Sequence, residues 1–88
     1  MKATYDPEAD AMYVYLRGPS NAVARTDVLE DGRVVDFDHA GRLLGVEILD
    51  VTHKGVHLLD LVERFQLFDV QGDLERLERM PLDEIAAG

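Results

Sequence analysis

The stretch "AMYVYLR", residues 11–17, decides how this chain folds. Met12, Val14 and Leu16 alternate with Tyr13, Tyr15 and Arg17, and a period of two marks a strand with one buried and one open face. A helix of that length would instead space its apolar residues three and four apart. Just upstream, "DPEAD" places Pro7 second in a four-residue turn, where its fixed φ suits type I geometry, with Asp6 ahead of it able to bond back to the backbone. Residues 2–6 form a short strand on the far side of that turn.

Downstream, "GPSN" at residues 18–21 ends the strand. A weaker strand follows from Val23 to Leu29. Asp31-Gly32 is a two-residue hairpin signal, because both central positions of that turn need positive φ. "VVDFD" is the next strand, and "RLLGVEILD", residues 42–50, is the strongest in the chain. Between them Gly41 is suited to positive φ after a type I turn through His39 and Ala40. A three-residue bulged turn and an even-length turn there give opposite side-chain pairings, so the register at His39–Gly41 stays open. Every connection is too short for a parallel crossover. The expectation is an antiparallel meander of four or five strands across about residues 2–50.

From Leu58 the period changes. Leu58, Leu61, Val62, Phe65 and Phe68 follow helical spacing, with Asp60, Glu63 and Arg64 opposite. This predicts an amphipathic helix over about 57–69. Gly72 suits its end and Asp73 the cap of a second helix over about 73–80, with Leu74, Leu77 and Met80 on one side. Pro81 stops it, and "LDEIAAG" is a further turn or a frayed tail. The expected architecture is α+β: one domain, 1–88, with a sheet in 1–51 and a helical segment, 57–88, on one of its faces.

Eighty-eight residues bury only roughly 60% of their unfolded surface, so one modest core is all the chain supports. Hydrophobic content of 47% is too high for a disordered chain. The absence of cysteine removes a disulfide framework, a thiolate zinc site and a cysteine nucleophile together. The start of the chain turns acidic where a signal peptide would turn apolar, and no apolar run reaches the ~18 residues of a membrane span, so a cytoplasmic protein is expected. Eighteen acids against nine bases give a net charge of −9, spread along the chain. Binding of duplex nucleic acid or of anionic membrane draws on Lys and Arg, and both are disfavoured. A basic protein partner or a cation is permitted.

"YDPEADAMYVYL", the Asp-Gly hairpin, "VVDFD" and "GRLLGVEILD" together resemble the small bacterial domains grouped as domain-of-unknown-function family 2283. The matching positions are Tyr5, Asp6, Asp10, Met12, Tyr13 and Val14, then Gly41, Leu43, Gly45, Val46, Glu47, Ile48 and Leu49. The likeness covers about residues 4–52. It implies a small antiparallel sheet and, through the company such families keep with small toxin-like genes, an antitoxin or immunity role. It implies no catalytic activity.

Several residue clusters invite a chemical reading. Asp6, Glu8 and Asp10 fail as a calcium loop, since the twelfth position from Asp6 is Arg17. Asp36, Asp38, Gly41 and Glu47 fit the same loop better, but strand-like flanks stand where helices are needed. Asp50, His53, His57 and Asp60 are spaced like metal ligands on one helix face, with Gly55 interrupting. Ser20, the only serine, sits in a turn and offers no triad. Tyr13, Tyr15 and Arg17 mark the open face of the sheet, near Arg25, Asp36 or Glu47, and tyrosine favours interfaces because its body is apolar and its tip polar. The leading expectation is a non-catalytic, homodimeric interaction module without a cofactor, binding a protein partner through the tyrosine face or a sheet edge. The alternative is a metal-dependent or acid–base enzyme using Asp36, Glu47 and a histidine.

Overall fold

The structure, a computed structural model, describes residues 1–17 and 22–87. The turn expected at residues 18–21, with Ser20, lies outside the described residues. Strands β1 (Lys2–Asp6), β2 (Ala11–Tyr15), β3 (Arg25–Val28), β4 (Val34–Phe37) and β5 (Leu43–Leu49) are followed by helices α1 (Val51–Lys54), α2 (Asp60–Phe65) and α3 (Gln71–Arg79) and a short strand β6 (Ala86–Ala87). The fold is α+β, with the five expected strands all paired antiparallel.

The sheet order is β3-β4-β5-β2-β1-β6. The chain meanders within each half, β1–β2 and β3–β4–β5, and β2 pairs with β5 rather than with its sequence neighbour β3. Val14 opposite Val46 and Met12 opposite Ile48 explain that seam, since all four side chains are buried. The sixth strand, in the expected tail, runs parallel to β1 with Thr4 opposite Ala86.

Both hairpins of the β3–β4–β5 half use one turn design. Leu29 N–H bonds to the Arg33 carbonyl and Gly32 N–H to the Leu29 carbonyl; Asp38 N–H and Gly41 N–H repeat the pattern with Arg42 and Asp38. Each loop therefore holds three residues, a type I turn closed by a glycine at positive φ, Gly32 (95°) and Gly41 (81°). The two-residue turn expected at Asp31-Gly32 is corrected: Asp31 keeps a negative φ and only Gly32 is left-handed. At His39–Gly41 the bulged alternative holds. The Asp38 carboxylate fixes that turn by accepting from the Ala40 and Arg42 amides, both at 2.9 Å. A register shift between Asp36 and Phe37 leaves Leu44 as an extra residue on β5.

The helices depart from the expected boundaries. α2 starts at Asp60 because the Glu78 carboxylate, reaching across from α3, accepts from the Leu58 and Leu59 amides at 2.6 and 3.0 Å. It ends at Phe65 because Gln66 is left-handed (φ 59°). That reversal turns Leu67 into the core in place of the expected Phe68, which is 57% exposed. Gly72 and Asp73 lie inside the first turn of α3, not at a boundary. Leu58, Leu61, Val62, Leu67, Leu74 and Leu77 join Met12, Val14, Val35, Val46 and Ile48 in one cluster on one side of the sheet. No helix among the described residues is long and apolar enough to cross a membrane.

Candidate functional site

With the core on one side, the alternate residues of every strand meet on the other. In register, Thr4, Tyr13, Glu47, Val34 and Val28 form one row, and Lys2, Tyr15, Gly45, Asp36 and Thr26 the next. Tyr13 and Tyr15 thus take the outer face that their alternation predicts, and Asp36 and Glu47 share it.

Gly45 organises this face. It stands between Tyr15 and Asp36 in register, and with no side chain it lets the Tyr13 ring lie diagonally across β5. The phenol then reaches a carboxylate two strands away: Tyr13 Oη donates to Asp36 Oδ2 at 2.5 Å, while Thr26 Oγ1 donates to Asp36 Oδ1 at 2.5 Å. One side-chain chain spans β2, β5, β4 and β3. Burial, then the bond to Asp36, pushes the Tyr13 phenol well above the ordinary tyrosine range. The Tyr15 ring tilts against Tyr13 with centroids 4.4 Å apart. Arg17 lies beyond the end of β2, and its guanidinium meets Asp69 at 3.1 Å while still bordering the groove formed with Met1, Lys2 and Tyr15.

The other nominated residues are dispersed. Asp38 is bound into its turn and to Arg42 Nε at 2.9 Å, so Asp36, Asp38 and Glu47 do not converge on a common point. Asp50 is the left-handed residue before α1, His53 lies on α1, and His57 sits in the following loop with Nε2 3.0 Å from the Lys54 carbonyl. Asp60 is committed to Arg33, whose Nη1 and Nη2 meet its oxygens at 2.9 and 2.7 Å. Among the described residues no three histidines or acids are placed to hold one metal ion. Among the described residues no histidine groups with Asp36 and Glu47 as the ligands of one ion would, and each Asp36 oxygen accepts from a hydroxyl, one from Tyr13 and the other from Thr26.

Two clusters escaped the sequence reading. Arg33 is 12% exposed; it holds Asp31 of its own turn (2.8 Å) and ties that hairpin to the helical half through Asp60 and the His57 carbonyl (2.9 Å). Asp10, read as turn chemistry, is left-handed (φ 51°) and accepts from Tyr5 Oη at 2.6 Å and Thr52 Oγ1 at 2.7 Å, pinning the β1–β2 turn to α1. The Tyr5 bond, then those from Thr52, holds its carboxyl below the usual range. Gly45 carried a usable signal, since a glycine inside a strand often marks close approach by another group. Arg33, Thr26 and Thr52 carried none, because their partners are remote in sequence.

A family model described as "Protein of unknown function (DUF2283)" matches residues 2–51, more than half of the chain. That segment runs from β1 to the end of β5 and holds Tyr13, Tyr15, Asp36, Gly45 and Glu47. No curated protein and no solved structure matches. The chain belongs to this family.

Proposed function

We propose that this member of DUF2283 is a non-catalytic protein-interaction module, working as a homodimer, that docks a partner on the outer face of its sheet around Tyr13 and Tyr15. The observation that carries this reading is the Tyr13–Asp36–Thr26 chain. It fixes an aromatic pair on the outer face of the sheet and engages both oxygens of the best-placed acid in bonds to hydroxyls. A preordered aromatic surface loses little entropy on binding, which suits recognition. Val28 and Leu49, 69% and 47% exposed, extend the same face with apolar area.

Charge suggests the partner's chemistry. Asp6, Asp36 and Glu47 outnumber Lys2 on this face, and the whole chain carries −9, so a basic protein surface is the complementary one. An antitoxin- or immunity-like role is the regulatory form of the same reading, an acidic domain covering a basic effector. Affinity capture from the native host with the wild-type chain and with Tyr15→Asp, both checked for fold by circular dichroism, tests it. A basic protein retained by the first and lost by the second is expected. An identical retained set would sink the reading.

A further inference from the structure

The strand β3 ends the sheet, and its open edge carries a pattern suited to one partner. We infer that a second copy of this chain pairs antiparallel with β3 about a twofold axis, Thr26 facing Thr26 and Arg25 facing Asp27, to join two sheets into one. This deepens the homodimer of the proposed function and rests on that reading.

The hydrogen-bonding groups come first. Leu29 closes the hairpin by donating to the Arg33 carbonyl at 2.8 Å, and antiparallel ladders alternate between bonded and unbonded pairs. Asp27 and Arg25 therefore face β4 with their main-chain groups, and Thr26 and Val28 present theirs to the open side. At the other end of the sheet the corresponding edge, β1, is covered by β6. Among the described residues the β3 edge has no such cover, and all four residues of β3 are exposed.

The charges then select the register. Across a twofold axis normal to the sheet, directly opposite residues must share a face, so registers step by two residues. A step in one direction sets Arg25 against Arg25, and a step in the other sets Asp27 against Asp27. Like charges directly opposite are destabilising. The register between them sets Arg25 against Asp27 twice and Thr26 against Thr26, both favourable pairings on their faces. The Arg25 and Asp27 side chains already lie 3.2 Å apart within the strand and are 60% and 49% exposed, so the two copies form a square of alternating charge. Arg25 is also fixed by stacking 4.4 Å over the Phe37 ring. Strand-edge contact of four residues is a small interface, so the association belongs to the weak, concentration-dependent class.

Charge exchange tests this directly by sedimentation velocity. Wild-type protein should move from monomer to dimer as concentration rises. Arg25→Asp alone and Asp27→Arg alone should each stay monomeric, since each sets like charges opposite one another. Mixed in equal amounts, the two should form a heterodimer, because the acidic edge of one then meets the basic edge of the other. Thr26→Pro, which removes an outward N–H that β4 does not use, should also abolish the dimer. Wild type that stays monomeric at high concentration, singles that dimerise like wild type, or a mixture that yields no heterodimer would each overturn the inference. Tyr15→Asp separates the two proposals: it should leave the dimer intact while losing the captured partner. A dimer lost with Tyr15→Asp but kept in the edge variants assigns dimerisation to the tyrosine face and defeats the edge.

Discussion

Replacing Gly45 by alanine should destabilise the protein through Tyr13, not through the backbone. Gly45 is not among the glycines at positive φ, so an alanine is torsionally permitted. A Cβ at that position, however, would stand 2.6 Å from the Cε1 and Cζ atoms of Tyr13 and closer still to its hydroxyl. The tyrosine must swing aside and lose its bond to the Asp36 carboxylate, worth about 1.5–3 kcal/mol for a charged acceptor. Alanine returns about 0.5–1 kcal/mol of chain entropy relative to glycine in a strand. The net loss is about 0.5–2.5 kcal/mol. With Tyr13→Ala already present the obstruction is gone, and the same Gly45→Ala change should stabilise by about 0.5–1 kcal/mol. Urea unfolding of the four proteins reads this as a midpoint falling in one background and rising in the other, by about 1 M per kcal/mol for a chain of this size. A fall of equal size in both backgrounds would refute the argument, since it would place the cost in the backbone.

Arg33→Lys keeps the charge but loses the fork onto Asp60 and the reach to Asp31 and the His57 carbonyl; it should cost about 1–2 kcal/mol, seen as a lower urea midpoint. Asp10, Asp38 and Asp60 all have folded pKa values held below the ordinary carboxylate value. Their contribution is therefore complete above the unfolded value near ~4 and lost as pH falls through the lower folded values, so thermal stability should fall steeply below about pH 4, less so in Asp60→Asn. Tyr13 has the opposite sign: with its phenol raised, the unfolded chain ionises first, and stability should decline as pH climbs past about 10, with a shallower decline in Tyr13→Phe. Glu47→Val should lose more protein to aggregate during refolding than wild type at equal concentration, measured by light scattering, because Glu47 is the one charge inside β5.

The strands were legible because burial writes its period into neighbouring residues: Met12, Val14 and Leu16 announce β2 without help from elsewhere. The β2–β5 seam was not, since a pairing between segments 30 or more residues apart, Tyr15 with Gly45 and Ala11 with Leu49, leaves no local trace. The turn at Asp31-Gly32 misled for a related reason. The dipeptide signals a tight reversal in either loop length, and which form results depends on whether Leu29 or Glu30 closes the ladder. The end of α2 depended on Gln66 accepting a left-handed conformation, which glutamine does not advertise, so the helical period ran on to Phe68. At the candidate site the tyrosines were readable and their fixing was not: Tyr13, Gly45, Asp36 and Thr26 come from four strands and meet only in the assembled sheet.

The seam also sets an order of assembly. Closing the hairpins at Leu29–Arg33 and Asp38–Arg42 brings together residues four apart, whereas the β2–β5 contact closes loops of 30 or more residues, an added chain-entropy cost of about 2 kcal/mol. The β3–β4–β5 unit and the β1–β2 hairpin therefore form before they join. Until they do, β5, the most buried strand of the finished sheet, is an edge, and its sequence "LLGVEIL" is the longest apolar strand in the chain. The moment of greatest risk for this protein thus lies on the folding route, where the central strand waits unpaired for β2 and could be met first by the β5 of another molecule.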